Sequence, residues 1–196
     1  MGLVLCSIVV ALVAARLAGG RLSSFERLPV DGLSFLLAAL GVLILGVVLG
    51  WIGLPAGTLY AAALLLSALL VACFMLVNRS VTGTGLIAAG LLLNALVVGL
   101  NGAMPVSAYA AARAGVGISA IADDRHEAAG NHTRLRFLGD VIPVPLPRRP
   151  EVDSIGDLLA AAGLSQLAFM AMRPGRRETE KGQASTTERR MLTPSD

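Results

Sequence analysis

Charge is what this chain has least of. Only 15% of its 196 residues are Asp, Glu, Lys or Arg, while 55% are hydrophobic; soluble domains carry about 25% charged residues. The shortage is concentrated: no charge falls within 2–15, 33–54, 56–77, 84–104 or 158–172. A helix needs about 20 apolar residues to cross roughly 30 Å of hydrocarbon, so these runs point to membrane helices. Polar–apolar alternation is missing too, which argues against membrane β-strands. No ionisable residue lies deep in any run, which weighs against a proton-coupled pump or ion carrier. Cysteine is nearly absent. Cys6 and Cys73 fall toward opposite ends of their segments, too far apart for a disulfide, whose α-carbons lie within about 7 Å. Nothing basic precedes Val4, and the first arginine, Arg16, follows the apolar run. The first segment is therefore expected as a retained helix rather than a cleaved signal.

What is present sets an architecture. The expectation is an all-α membrane protein with five transmembrane helices over 2–18, 33–54, 56–77, 84–102 and 155–172. They form one domain, 1–172, with an outer cap and loop over 103–153 and a polar, disordered cytoplasmic tail over 173–196. Arg16, Arg21, Arg27, Arg79 and the basic residues of the tail collect on one side. By the positive-inside rule that side is cytoplasmic and the N-terminus lies outside, in a bacterial plasma membrane. The pI near 9.4 follows from this asymmetry and does not imply nucleic acid. Small residues at helical spacing, Gly46 with Gly50, Ala63 with Ser67, and Ala161 with Ser165, suit close helix packing. They serve either one chain's bundle or a homodimer.

The fourth run carries two amides. Asn94 and Asn101 are seven residues apart and share a face with Gly90 and Val97. Such amides in a membrane clasp neighbouring helices or line a polar path. Ser67, at similar depth on the third segment, and Gln166 on the fifth could join either arrangement. After the Asn101-Gly102 turn, Pro105 can open a short helix over 103–115 that Gly115 closes. At half a bilayer in length it must lie on, re-enter or lid the outer face. Tyr109 favours the interface and Arg113 can snorkel to it.

The loop beyond holds Asp123, Asp124, His126, Glu127 and His132. Their spacing matches no metal-ligand pattern and no cysteine accompanies them, so a solvated loop is expected, with no metal or cofactor. LRFLGDVIPVPLP, 135–147, reads as a short extended element and a proline-stiffened connector. Ser154 and Asp157 form a capping box at the start of the fifth helix, which gives Asp157 a structural task.

NGAMPVS, LGDVIPVP and SIGD together resemble a family of small bacterial membrane proteins of unknown function. The resemblance covers roughly 79–172 and rests on Asn94, Asn101, Gly102, Met104, Pro105, Val106, Ser107, Gly139, Asp140, Ile142, Pro143, Ser154, Gly156 and Asp157. It implies a membrane location and supplies no activity. The preponderance of arginine, fifteen of sixteen basic residues, suits a GC-rich genome.

The favoured function is a non-enzymatic accessory or scaffold subunit, held in the lipid bilayer, whose outer cap and loop bind a protein partner. Candidate contact residues are Asn94, Asn101, Met104, Pro105, Ser107, Arg113, His126, His132 and Asp140. The alternative is a small-solute transporter or channel lined by the polar face of the fourth helix. A membrane enzyme ranks third, because no Ser/His/Asp or Cys/His constellation shows a helix-compatible spacing.

Overall fold

The computed structural model describes residues 2–27, 30–51, 56–117, 125–147 and 150–172. The expected tail over 173–196, and Asp123 and Asp124, lie outside these residues. The helices are α1 (Gly2–Leu17), α2 (Leu33–Trp51), α3 (Ala56–Val77), α4 (Thr84–Asn101), α5 (Ala108–Ala114) and α6 (Ile155–Ala171). The strands are β1 (Met104–Val106), β2 (His126–Ala128), β3 (Asp140–Val144) and β4 (Glu151–Ser154).

Two features overturn the five-span, all-α expectation. Among the described residues only Thr84–Asn101, 18 residues, is long and apolar enough to cross a membrane. The other apolar helical stretches, Gly2–Leu17, Leu33–Gly46, Ala62–Val77 and Ile155–Ala171, run 10–17 residues. The second feature is a four-stranded sheet in the order β2-β1-β3-β4, with β1 parallel to β2 and β3, and β4 antiparallel to β3. Strands of three to five residues are too short to show a period, and two of them contain proline.

The long helices pack in a row, α2–α3–α4–α6–α1, each touching one or two neighbours strongly. The row is sealed by small residues: Ala39, Ala63, Ala72, Ala88, Ala95, Ala161 and Ala168 are buried. Large apolar residues face outward instead, among them Leu5, Val10, Leu37, Ile44, Leu76 and Leu96. Ser67 donates from Oγ to the Ala39 carbonyl across the α2–α3 contact at 2.9 Å. It does not join Asn94, and Gln166 is exposed. A β-carbon on Gly46 would sit 2.6 Å from Ala63 Cβ, so this small-residue face is used within the chain.

The tightest contact is α4 against α6. Gly83 and Gly90 are seven apart, as are Gly156 and Gly163, and the two pairs oppose each other. A β-carbon on Gly90 would lie 2.8 Å from Ala160 N, and one on Gly163 2.6 Å from the Gly83 carbonyl oxygen. Only hydrogen fits there, and the two backbones touch. At the far edge of the row, α1 is held at both ends. Glu151 of β4 accepts from Gly2 N (2.9 Å) and Leu3 N (2.7 Å), while Arg21 N, beyond α1, donates to the Met172 carbonyl (2.9 Å).

The sheet sits on the ends of α4 and α6. Gly102, at φ 86°, closes α4 by donating to the Val98 carbonyl, and the chain turns straight into β1. The region expected as one helix over 103–115 is thus a strand followed by a shorter helix. Pro105 lies inside β1 rather than in a helical first turn, and Ser107 is the N-cap of α5, accepting from Ala110 N. A central strand tolerates this proline because pairing to β3 begins only at Val106. Met104 N donates to the Arg125 carbonyl and Ser107 N to the Asp140 carbonyl, so the ladder steps over residue 105. Gly139 makes room beside it: a β-carbon there would sit 2.9 Å from Pro105 Cγ. Val97, Val98 and Met104, with Leu64, Leu135 and Leu138, pack the helix ends beneath the sheet. Val106 and Ala111, with Val116 and Val152, pack α5 onto it.

Candidate functional site

The polar groups converge where α4, α6 and the sheet meet. Asn94 projects from α4 toward the first turn of α6. Its Nδ2 donates to Asp157 Oδ1 at 2.9 Å. Ser154 Oγ lies 2.8 Å from both Asn94 Oδ1 and Asp157 Oδ2, with one hydroxyl hydrogen to give to either. Asp157 N donates to Ser154 Oγ and Ser154 N to Asp157 Oδ2, which completes the capping box. Gly156 lets the amide approach, since a β-carbon there would fall 2.6 Å from Asn94 Cγ. Ser154 is fully buried, so its hydroxyl faces no substrate.

Two more carboxylates stand in this corner. Asp140 opens β3 opposite Ser154, and Asp153 precedes Ser154 in β4; both are buried. Burial, then the charges of Asp157 and Asp153, push Asp140 up to about 8, so it keeps a proton at neutral pH. Burial, then Glu151 and Asp157, raise Asp153 to about 6. Burial works against the Glu151 carboxylate as well, but the N–H groups of Gly2 and Leu3 outweigh it and hold Glu151 below its ordinary range. His126 Nε2 lies 3.9 Å from Asp140 Oδ2, beyond hydrogen-bond reach. Among the described residues no group of three or more His, Cys, Asp or Glu is arranged to hold a metal ion.

Residues 27–169 match DUF5317, described as a family of unknown function. The chain belongs to that family. No curated protein and no solved structure matches it. In this DUF5317 chain the three motif segments meet in space: Val106 pairs with Asp140, Asp140 pairs with Ser154, and Asn94 binds Ser154 and Asp157. NGAMPVS, LGDVIPVP and SIGD are thus the parts of one joint between helices and sheet.

The expected contact residues divide into four groups. Asn94 and Asp140 belong to the joint, and His126 stands beside it. Met104 and Pro105 are buried in its β1 wall and Ser107 caps α5. Asn101 holds the neighbouring turn: its Nδ2 donates to the Arg134 carbonyl (3.0 Å) and its Oδ1 accepts from Arg134 N (2.8 Å). Arg113 and His132 stand apart and exposed, Arg113 lying over the Tyr109 ring at 5.8 Å. Asp153, Glu151 and the facing of Gly83 and Gly90 onto Gly163 and Gly156 escaped the sequence reading. The repeated seven-residue glycine spacing was the available signal for the last; the two acids sit in a strand too short to announce itself.

Proposed function

We propose that the protein is a non-enzymatic membrane component whose apolar helices are held in a lipid bilayer and whose sheet-and-helix cap docks a protein partner. The observation that carries this is the inverted distribution of side chains, with alanine and glycine between the helices and leucine, valine and isoleucine outside. Soluble monomers rarely expose large contiguous apolar patches. Lipid-embedded helices associate through small residues and bonded polar groups.

The docking half rests on how firmly the cap is fixed. Asn94, Asn101, Ser154 and Gly139 all serve to hold it, which leaves Tyr109, Ala112 and Arg113 of α5 as one exposed helical face. The alternative, a solute path along α4, has less support, because both ends of the Asn94 amide are already bonded. A photo-crosslinker at Tyr109 in cells tests the reading. A single stoichiometric adduct, lost in Arg113→Glu, is expected, with the protein staying in membranes after an alkaline carbonate wash. Release by the wash would overturn the membrane half; an absent adduct would overturn the docking half.

A further inference from the structure

The turn between β2 and β3 places an unusual set of side chains at the end of the helical row. Asn101, the last residue of α4, grips the Arg134 backbone on both sides, which fixes the turn at the level where α4 stops. Leu135, at φ 51°, and Leu138 turn inward onto Val97, Val98 and Met104. Their neighbours therefore face out: Arg134 and Arg136 are exposed, and so is Phe137, at 62%. Neither arginine forms an ion pair among the described residues. Leu96 and Leu100, in the last turns of α4 before Asn101, are exposed as well.

We propose that residues 134–138 form an interfacial anchor: Phe137 enters the boundary between headgroups and acyl chains, and Arg134 and Arg136 engage the phosphates of anionic phospholipids in that leaflet. The proposal rests on the membrane reading above. A guanidinium presents a planar fork of donors that matches a phosphate, and it carries its charge at every physiological pH. An exposed aromatic flanked by cations at the edge of an apolar surface suits the headgroup layer. The grip of Asn101 keeps the ring at that depth instead of leaving it on a loose loop. A phospholipid fits better than a protein partner because Asn101 ties this turn to the end of apolar α4, whereas Tyr109 and Arg113 lie on α5.

The test uses the full chain in nanodiscs, with Trp51→Phe removing the single native tryptophan. Phe137→Trp and, separately, Leu96→Trp serve as depth reporters against lipids brominated at chosen acyl positions. Leu96→Trp is expected to be quenched by deep bromines, and Phe137→Trp by those nearest the headgroup, with blue-shifted emission. With the wild-type ring in place, Arg134→Gln and Arg136→Gln are expected to lower the preference for phosphatidylglycerol over phosphatidylcholine, read by native mass spectrometry, by roughly fivefold per arginine. If Leu96→Trp is quenched but Phe137→Trp emits as in water, the anchor is wrong and the membrane reading stands. If neither is quenched, the membrane reading itself fails. An unchanged lipid preference in the double arginine variant, or a Phe137→Trp emission shift that follows a co-purifying protein rather than lipid, also overturns the anchor.

Discussion

Replacing Asn94 by alanine removes a donor from Asp157 and an acceptor from Ser154 in one step. An amide bonded only to another neutral group in a membrane contributes about 0.6 kcal/mol. Here one partner is a carboxylate, and hydrogen bonds to charged groups contribute about 1.5–3 kcal/mol. Asn94→Ala is therefore expected to lower stability by about 2 kcal/mol, measured by thermal unfolding in detergent; no measurable change would mean the joint is held without it. Asp140 gives a second test, with the sign set by its raised pKa. Between its ordinary value of 3.8 and about 8, the folded protein holds a proton that the unfolded chain has released. Stability contributed by this group is full below the lower value and is lost as pH rises through the upper one. Asp140→Asn should raise the melting temperature most at pH 8, less at pH 5, and leave it nearly unchanged below about pH 4. A larger gain at pH 5 than at pH 8 would reverse the argument.

At the level of elements, the glycines predict opposite outcomes for the same substitution. Gly41, in the middle of α2, has nothing within 4 Å of where a β-carbon would sit. Gly41→Ala should stabilise by about 0.5–1 kcal/mol through backbone entropy. Gly90→Ala meets Ala160 N at 2.8 Å and must push α4 off α6, which is expected to destabilise by about 3 kcal/mol, read by the same unfolding assay. The long helices were legible because each is an uninterrupted apolar run: the expected ranges agree with α1 to α4 and α6 to within a few residues. The Ser154–Asp157 capping box was legible because its signature is local. The sheet was not. β1, β2 and β4 have three or four residues, and β1 pairs with segments 22 and 34 residues further on (126 − 104 and 140 − 106). Pro105 pointed toward a helix start because its compatibility with β1 depends on Gly139, a neighbour only in space. Likewise the partners of Asn94 lie some 60 residues away, so its face could be inferred and its bonding could not.

For the molecule as a whole, the arrangement makes an orientation claim. α1 and α6 begin, and α4 ends, on the side that carries the sheet, while Arg16, Arg21 and Arg79 gather at the other end. In a background with Cys6 and Cys73, both free and exposed, replaced by serine, Asn131→Cys should react with an impermeant maleimide in intact cells. Ser80→Cys should react only after permeabilisation, and the opposite pattern would invert the orientation. The attachment of α1 bears on how the molecule is made. Its start is gripped by Glu151, 149 residues away from Gly2, and its main helical neighbour is α6. At a synthesis rate of roughly 5–20 residues per second, that partner reaches it some 7–30 s after α1 itself has been made. Until then α1 is an apolar helix with neither its cap nor its neighbour, and the surface that will meet α6 is open to whatever attends the growing chain. A ribosome that stalls before α6 leaves this helix stranded, so a segment made late in synthesis is the one that releases α1 from waiting.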